Sequence, residues 1–254
     1  MRIAIVTGAS SGLGKVFASQ LAQQEKLDEI WAIARREDRL RALGESLSVP
    51  VRALPLDLRL RESMETLSSL LETEKPEVSW LINASGFGKF GTYRDVTIEE
   101  THDMIDVDVK AAVDVGLTVL PYMKAGGRIL NICSVAAFQP LPGFGVYAAC
   151  KSFLLSYTRS LHAELRERSI TATAVCPNWI RTEFIKVAKE TEAPGAVEHF
   201  YFMAEAPDVV QKALRDSRRG KDISVYGVAS KAQHVLCRLL PHRLVMALWN
   251  RIRH

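Results

Sequence analysis

The 254-residue chain has four cysteines, with no Cys-x-x-Cys pair and no histidine partner at metal-ligand spacing. Cys133, Cys150, Cys176 and Cys237 are therefore expected to be reduced thiols packed as small hydrophobes, with no metal site. No uninterrupted apolar run approaches the roughly 20 residues needed to cross a bilayer. The opening MRIAIVTG leads a short apolar run straight into glycine. It is expected to be a buried strand, since a signal peptide needs a longer apolar region and a small-residue cleavage site. The expected location is cytoplasmic. Internal repeats, low-complexity tracts and Pro/Gly-rich linkers are also missing, so residues 1–254 are expected to form a single domain. With 48% hydrophobic and 24% charged residues, the chain has an ordinary globular composition and can bury a large core without staples.

The net charge of +4 conceals an asymmetry. From Arg215 onward there are nine Lys/Arg against two Asp, so that stretch carries +7 and the remainder −3. No basic residues are spread over a recognisable nucleic-acid-binding element, and a nucleic-acid partner is not expected.

Short Ile/Val-rich runs alternate with helical patterns. Ile3–Val6, Glu29–Ala34, Val51–Leu56, Val78–Ile82, Gly127–Cys133 and Ile170–Cys176 are expected strands, with Ser224–Val225 as a short seventh. Expected helices lie near 12–24, 36–47, 61–74, 97–123 and 145–168. Continuous apolar strands separated by helices imply a sheet covered on both faces. The expected fold is α/β: a doubly wound Rossmann domain with a mostly parallel sheet of about seven strands. Residues 186–207 break the rhythm with Pro194, Gly195, Pro207 and the aromatic run Phe200-Tyr201-Phe202. A segment after the sixth strand hangs over the carboxyl edge of the sheet, where it can act as a substrate lid or be a plain surface excursion.

Directly after the first strand comes Thr7-Gly8-Ala9-Ser10-Ser11-Gly12-Leu13-Gly14. Gly8 suits a tight turn, Gly12 lets backbone approach a pyrophosphate, and Gly14 lets the helix pack close to the strand. The helix N-terminus then directs free N–H groups at the phosphates. An acidic residue at the end of the second strand, some 20 residues on, would hold the ribose hydroxyl of NAD. Here Ala34 is followed by Arg35 and Arg36. Two guanidiniums and a missing carboxylate suit a 2′-phosphate, and the cofactor expected is NADP(H).

The glycine turn, Asn83-Ala84-Ser85-Gly86 after the fourth strand, Ser134, and Tyr147-x-x-x-Lys151 thirteen residues beyond it together resemble the short-chain dehydrogenase/reductase family, over residues 1 to about 185. The resemblance implies hydride transfer between a nicotinamide and a carbonyl or secondary alcohol. Tyr147 and Lys151 share one helix face. A tyrosine hydroxyl, with a reference pKa near ~10, is a poor base until an ammonium nearby favours its phenolate. Tyr147 would then exchange a proton with the substrate oxygen and Ser134 would hydrogen-bond that oxygen. The resemblance gives Lys151 the nicotinamide ribose as well. It assigns Asp57-Leu58 to the adenine ring, Asn83 to steadying the strand beside the cofactor with Ala84 next to it, and Pro177, Ile180 and Thr182 to the nicotinamide amide. The family is commonly dimeric or tetrameric, so a homodimer or homotetramer is expected.

Two residues depart from the family pattern. Asn178 stands where a glycine is usual; it either tolerates positive φ or narrows the pocket with its side chain. Asp108 stands where an asparagine offers its backbone carbonyl to a proton-relaying water. A carboxylate there stabilises the Lys151 ammonium and partly offsets its pull on Tyr147.

Residues 231–254 form a basic amphipathic extension. Apolar residues fall at helical spacing on either side of Pro241, which suits the first turn of a second helix. Such a segment either meets an anionic membrane surface weakly or docks on the domain itself or on a partner subunit. The apolar and aromatic character of residues 186–207 and of the extension points to a small-molecule, apolar carbonyl substrate such as a fatty acyl, steroid or other lipid-like carbonyl. The alternatives are a catalytically idle NADP-binding sensor or scaffold, and an epimerase or dehydratase that uses the cofactor without net consumption.

Overall fold

Residues 1–253 are described by a computed structural model in which every strand is parallel. The order along the chain is β1 (Arg2–Thr7), α1 (Gly12–Gln24), β2 (Glu29–Ile33), α2 (Glu37–Ser46), β3 (Val51–Leu54), α3 (Arg61–Glu74) and β4 (Glu77–Asn83). Then follow α4 (Ile98–Ile105), α5 (Ala111–Val119), β5 (Arg128–Ile132), α6 (Gly145–Glu164) and β6 (Thr171–Cys176). The chain closes with α7 (Phe184–Ala188), α8 (Ala206–Arg218), β7 (Ile223–Val225), α9 (Val228–Leu239) and α10 (His242–Ile252).

The strands line up as β3-β2-β1-β4-β5-β6-β7. Uninterrupted apolar strands make sense here because both faces are covered. Ala4 and Val6 of β1 face α1, α2 and α8 through Phe17, Leu21, Leu40 and Leu214, while Ile3 and Ile5 face α3, α5 and α6 through Leu67, Leu71, Val115 and Leu161. Each such fully buried Leu or Ile contributes roughly 1.5–3 kcal/mol. The winding reverses between β1 and β4, and the crevice at that reversal opens along the carboxyl ends of the strands. The fold is the expected Rossmann arrangement.

The long helix expected near 97–123 is interrupted. Asp106–Lys110 forms a π-helical turn between α4 and α5, and Leu120–Tyr122 closes as a 3-10 turn. The apolar pattern runs helically through this stretch, so nothing in it announces the extra residue per turn. Within residues 186–207 the regular structure is the end of α7, the 3-10 turn Pro194–Ala196 and the start of α8. A bridge between Ile180 and Ala204 ties off its base. Pro241 immediately precedes α10 instead of lying inside its first turn. The four cysteines are free and buried.

Part of the C-terminal extension docks on the body. Cys237, Val245 and Trp249 are buried, and the Trp249 indole donates to the Pro142 carbonyl at 2.8 Å. Arg253 donates to the same carbonyl at 2.9 Å, and its own carbonyl accepts from the Glu198 amide at 2.8 Å.

Candidate active site

The turn after β1 is shaped by its glycines. Gly8 has φ +65, and a Cβ there would collide with the Ala84 carbonyl of the neighbouring strand end. A Cβ on Gly14 would strike the Gly8 carbonyl, so this glycine seats α1 against the turn. Thr7 joins the two strand ends, its Oγ1 accepting from the Ala84 and Ser85 amides at 3.1 Å each. The N-cap Ser11 makes no side-chain cap and no acidic residue lies in the first turn of α1. Its first amides and the positive end of its dipole are thus left for an anion.

Arg36 reaches across this turn. Its Nη2 donates to Ser10 Oγ at 3.1 Å and to Ser11 Oγ at 2.9 Å. Its Nη1 meets Glu183 Oε2 at 3.0 Å, and Arg39 meets the other oxygen of that carboxylate at 2.7 Å. These two guanidiniums hold the Glu183 carboxyl below its usual range, Arg39 contributing more. Arg35 is exposed and lines the same cleft. Asp57 is gripped by Arg59, whose Nη2 lies 2.6 Å from Oδ2, and its carboxyl is depressed chiefly by that hydrogen bond. Arg59 also pairs with Asp103 at 2.6 Å.

One continuous cleft, with a volume of about 1100 Å³, runs from the glycine turn to α10. Gly8, Ser10, Ser11, Gly12, Leu13, Arg35, Arg36, Asp57, Leu58 and Ala84 line one end of it. Ser134, Tyr147, Lys151, Pro177, Ile180 and Thr182 line its middle. Three of the sequence-derived residues stand behind the wall. Gly14 is buried in α1. Asn83 is 3% exposed and donates to Ala112 O at 3.2 Å and to Asn131 Oδ1 at 2.9 Å. Asp108 is 1% exposed.

Lys151 is 4% exposed, four residues beyond Tyr147 on α6. Its Nζ donates to the Ile132 carbonyl at 2.9 Å and lies 2.6 Å from Asp108 Oδ1. The π-helical turn carries this carboxylate, and such turns recur where a side chain must be re-aimed at a functional site. The Phe87 amide donates to the other oxygen of Asp108 at 3.3 Å. Burial opposes the Lys151 charge, but the Asp108 carboxylate together with Tyr147 outweighs it and leaves the ammonium held above its ordinary value. Burial likewise pushes the Asp108 carboxyl up, against the pull of Lys151. Gly86 makes room for the pair, since a Cβ there would press on both Asp108 and Lys151.

The Tyr147 ring lies 5.4 Å from Lys151 Nζ. Burial pushes its hydroxyl up to about 12; Lys151 and the Ser134 side chain pull it down, while Asp108 pushes it further up. Ser134 Oγ accepts from the Ala136 amide at 3.1 Å, which fixes its position at the end of β5.

Sequence reasoning missed the apolar box around this hydroxyl. Phe144 stacks on Tyr147 at 4.3 Å, Phe184 lies 5.3 Å away, and Trp179 and Phe87 complete the lining. Asn178 is not in a left-handed conformation. Its Oδ1 turns back to accept from the Trp179 amide at 2.9 Å, so the following tryptophan supplies the bulk in the pocket.

The sequence model of the short chain dehydrogenase family matches residues 2–193. A sulfoacetaldehyde reductase of Chromohalobacter salexigens is 32% identical over 220 residues, which span 82% of this chain and 85% of that protein. The 3-oxoacyl-acyl-carrier-protein reductase FabG of Escherichia coli is 29% identical over 196 residues, 76% of this chain and 80% of its own. Among solved structures, a short-chain dehydrogenase from Sphingobium yanoikuyae in complex with NADPH superposes with a TM-score of 0.80 at 26% identity, covering 97% of this chain and 96% of that one.

Proposed function

The chain belongs to the short-chain dehydrogenase family and is an oxidoreductase; from that premise we propose that it uses NADP(H) to reduce an apolar ketone or aldehyde, with Tyr147 as the general acid. The observation that carries the reading is the buried Tyr147–Lys151–Asp108 array set in the aromatic box, at the middle of a cleft that continues to the glycine turn.

The glycine cradle, the free amides of α1 and the Arg36 guanidinium above Ser10 and Ser11 fit a phosphorylated dinucleotide. Gly8, Ser10, Ser11, Gly12 and Leu13 would hold its phosphates, and Arg35 and Arg36 its 2′-phosphate. Asp57, Leu58 and Ala84 would border the adenosine, with Lys151, Pro177, Ile180 and Thr182 at the nicotinamide end. Bound there, the cofactor supplies or accepts the hydride.

The protein's own groups handle the proton. At neutral pH Tyr147 is protonated, because burial holds its hydroxyl up to about 12. It is therefore set to donate to a carbonyl oxygen, with Ser134 hydrogen-bonding the same oxygen as negative charge builds on it. Lys151 steadies the phenolate left behind, at a cost set by Asp108, which competes for the same ammonium. The phenyl and indole faces exclude water and select a greasy substrate. Residues 186–207, which contribute Val187, His199, Tyr201 and Phe202 to the cleft, act as its lid.

A homodimer or homotetramer is the assembly that fits, with exposed Leu117 of α5 and Phe153 of α6 as available apolar surface. Initial rates of NADPH and NADH oxidation against a panel of apolar ketones and aldehydes test the reading. It requires turnover with NADPH at a higher kcat/KM than with NADH; a preference for NADH would remove Arg35 and Arg36 from their assigned role.

A further inference from the structure

The hairpin of α9 and α10 presents a surface that the reaction does not use. Cys237, Val245 and Trp249 fix the hairpin to the body, yet Val228, Val235, Leu236, Leu239, Leu244 and Leu248 are each more than half exposed. On α9, Val228, Val235 and Leu239 share one face by helical spacing, with exposed Lys231 and Arg238 beside it. On α10, Leu244 and Leu248 form a row with exposed Arg251 alongside. No acidic residue follows Asp222. Leu236, Leu244 and Leu248 also border the cleft, as do Tyr201 and Phe202, 49% and 73% exposed. Apolar side chains of the hairpin surface and of the aromatic box thus line one and the same cleft.

We propose that this hairpin docks on an anionic phospholipid surface and that the cleft draws its apolar carbonyl substrate from that surface. The substrate half rests on the reductase reading above; the docking half does not. Apolar side chains flanked by cations are what an interfacial helix needs, the former entering the acyl boundary and the latter pairing with headgroups. Among the described residues no helix is long and apolar enough to span a membrane, so the hairpin lies in the interface plane. Charge argues against a second copy as the occupant. A two-fold contact through this face would set Lys231, Arg238, Arg243 and Arg251 against their own equivalents with no carboxylate between them.

Flotation of the full-length protein with vesicles tests the docking. Binding is expected to phosphatidylcholine vesicles containing phosphatidylglycerol, much less to phosphatidylcholine alone, and to weaken as salt is raised. Replacing Arg238, Arg243 and Arg251 together with Glu should lower partitioning by at least roughly a hundredfold. Val235→Glu with Leu239→Glu, which removes apolar surface instead of charge, should do likewise and guards against misfolding of the first variant. None of these five residues lines the cleft, so NADPH oxidation with a short, water-soluble aldehyde should be unchanged in both. With a long-chain ketone supplied in anionic vesicles, kcat/KM should fall in parallel with flotation. Absence of flotation, or equal flotation with both vesicle types, overturns the docking. A dimer in light scattering that Leu239→Glu dissolves identifies a second copy as the occupant and overturns it too. If no carbonyl is turned over while flotation holds, the reductase reading fails and the docking stands.

Discussion

Replacing Asp108 with Asn removes one charge from a buried array while keeping its shape. The carboxylate lies 2.6 Å from Lys151 Nζ, which lies 5.4 Å from the Tyr147 ring centroid. At a separation on the order of 8 Å and an effective permittivity of ~20, one charge acts on the phenol by about 2 kcal/mol, or roughly 1.5 pH units. The sign follows from the charge: Asp108 disfavours the phenolate and holds the Tyr147 value up, so its loss brings that value down. Reduction needs Tyr147 protonated, and its rate is lost as pH rises through that value. The alkaline limb of the pH–rate profile should therefore move about one to one and a half units toward neutrality. Oxidation needs the phenolate, and its rising limb moves the same way. Losing Asp108 also removes the main group that holds the Lys151 ammonium up against burial, so the Lys151 value falls as well, with the Ile132 carbonyl kept as its acceptor. The amide oxygen of the substituted side chain still accepts from Lys151, so the loss in stability should be about 1–3 kcal/mol, read from Tm or denaturant midpoint. Profiles of kcat/KM from neutral to alkaline pH, wild type against D108N, make the assay. An unchanged profile in a folded variant, or a shift to higher pH, refutes the coupling.

Other perturbations address other parts of the site. Arg36→Ala removes the guanidinium that spans Ser10 and Ser11; the KM for NADPH should rise about ten- to a hundredfold while that for NADH moves little, as charge-assisted contacts of about 1.5–3 kcal/mol require. Gly86→Ala places a methyl against Asp108 and Lys151, so kcat should drop about tenfold or more while stability falls by roughly 1–3 kcal/mol. Trp249→Ala strips α10 of its buried anchor and of the bond to Pro142; stability should fall by about 3 kcal/mol in chemical denaturation, and the KM for a long apolar substrate should rise more than kcat changes.

The features legible in the sequence are those set by short-range covalent geometry. The turn from Gly8 to Gly14 needs positive φ and close helix approach within seven residues, and Tyr147 and Lys151 meet because they are one helical turn apart. The doubly wound layering follows from the alternation of apolar strands with helices, while the strand order does not, because more than one order satisfies the same crossover rule. What was hidden depends on convergence of distant segments. Phe87, Phe144 and the Trp179/Phe184 pair come from three separate stretches, and singly each is an ordinary apolar residue. Glu183 meets Arg36 and Arg39 across nearly 150 positions. Arg59, two residues after the expected Asp57, could have been suspected as its ion partner, but not its reach to Asp103. The π-helical turn at Asp106–Lys110 leaves no mark because Val107 and Val109 satisfy either helical geometry. Asp108, by contrast, was visible as a charge in a place that does not ordinarily carry one, and its ion pair with Lys151 is the consequence.

The proposed reduction depends on Tyr147 as the proton donor. Its most direct test is the rate of NADPH oxidation with an apolar carbonyl substrate in Tyr147→Phe, alongside NADPH affinity measured by fluorescence or calorimetry. The phenyl ring keeps the stack on Phe144, so the fold and the cofactor affinity should be preserved while kcat/KM falls about a hundred- to ten-thousandfold. Turnover near the wild-type rate in the folded, NADPH-binding variant would contradict the account.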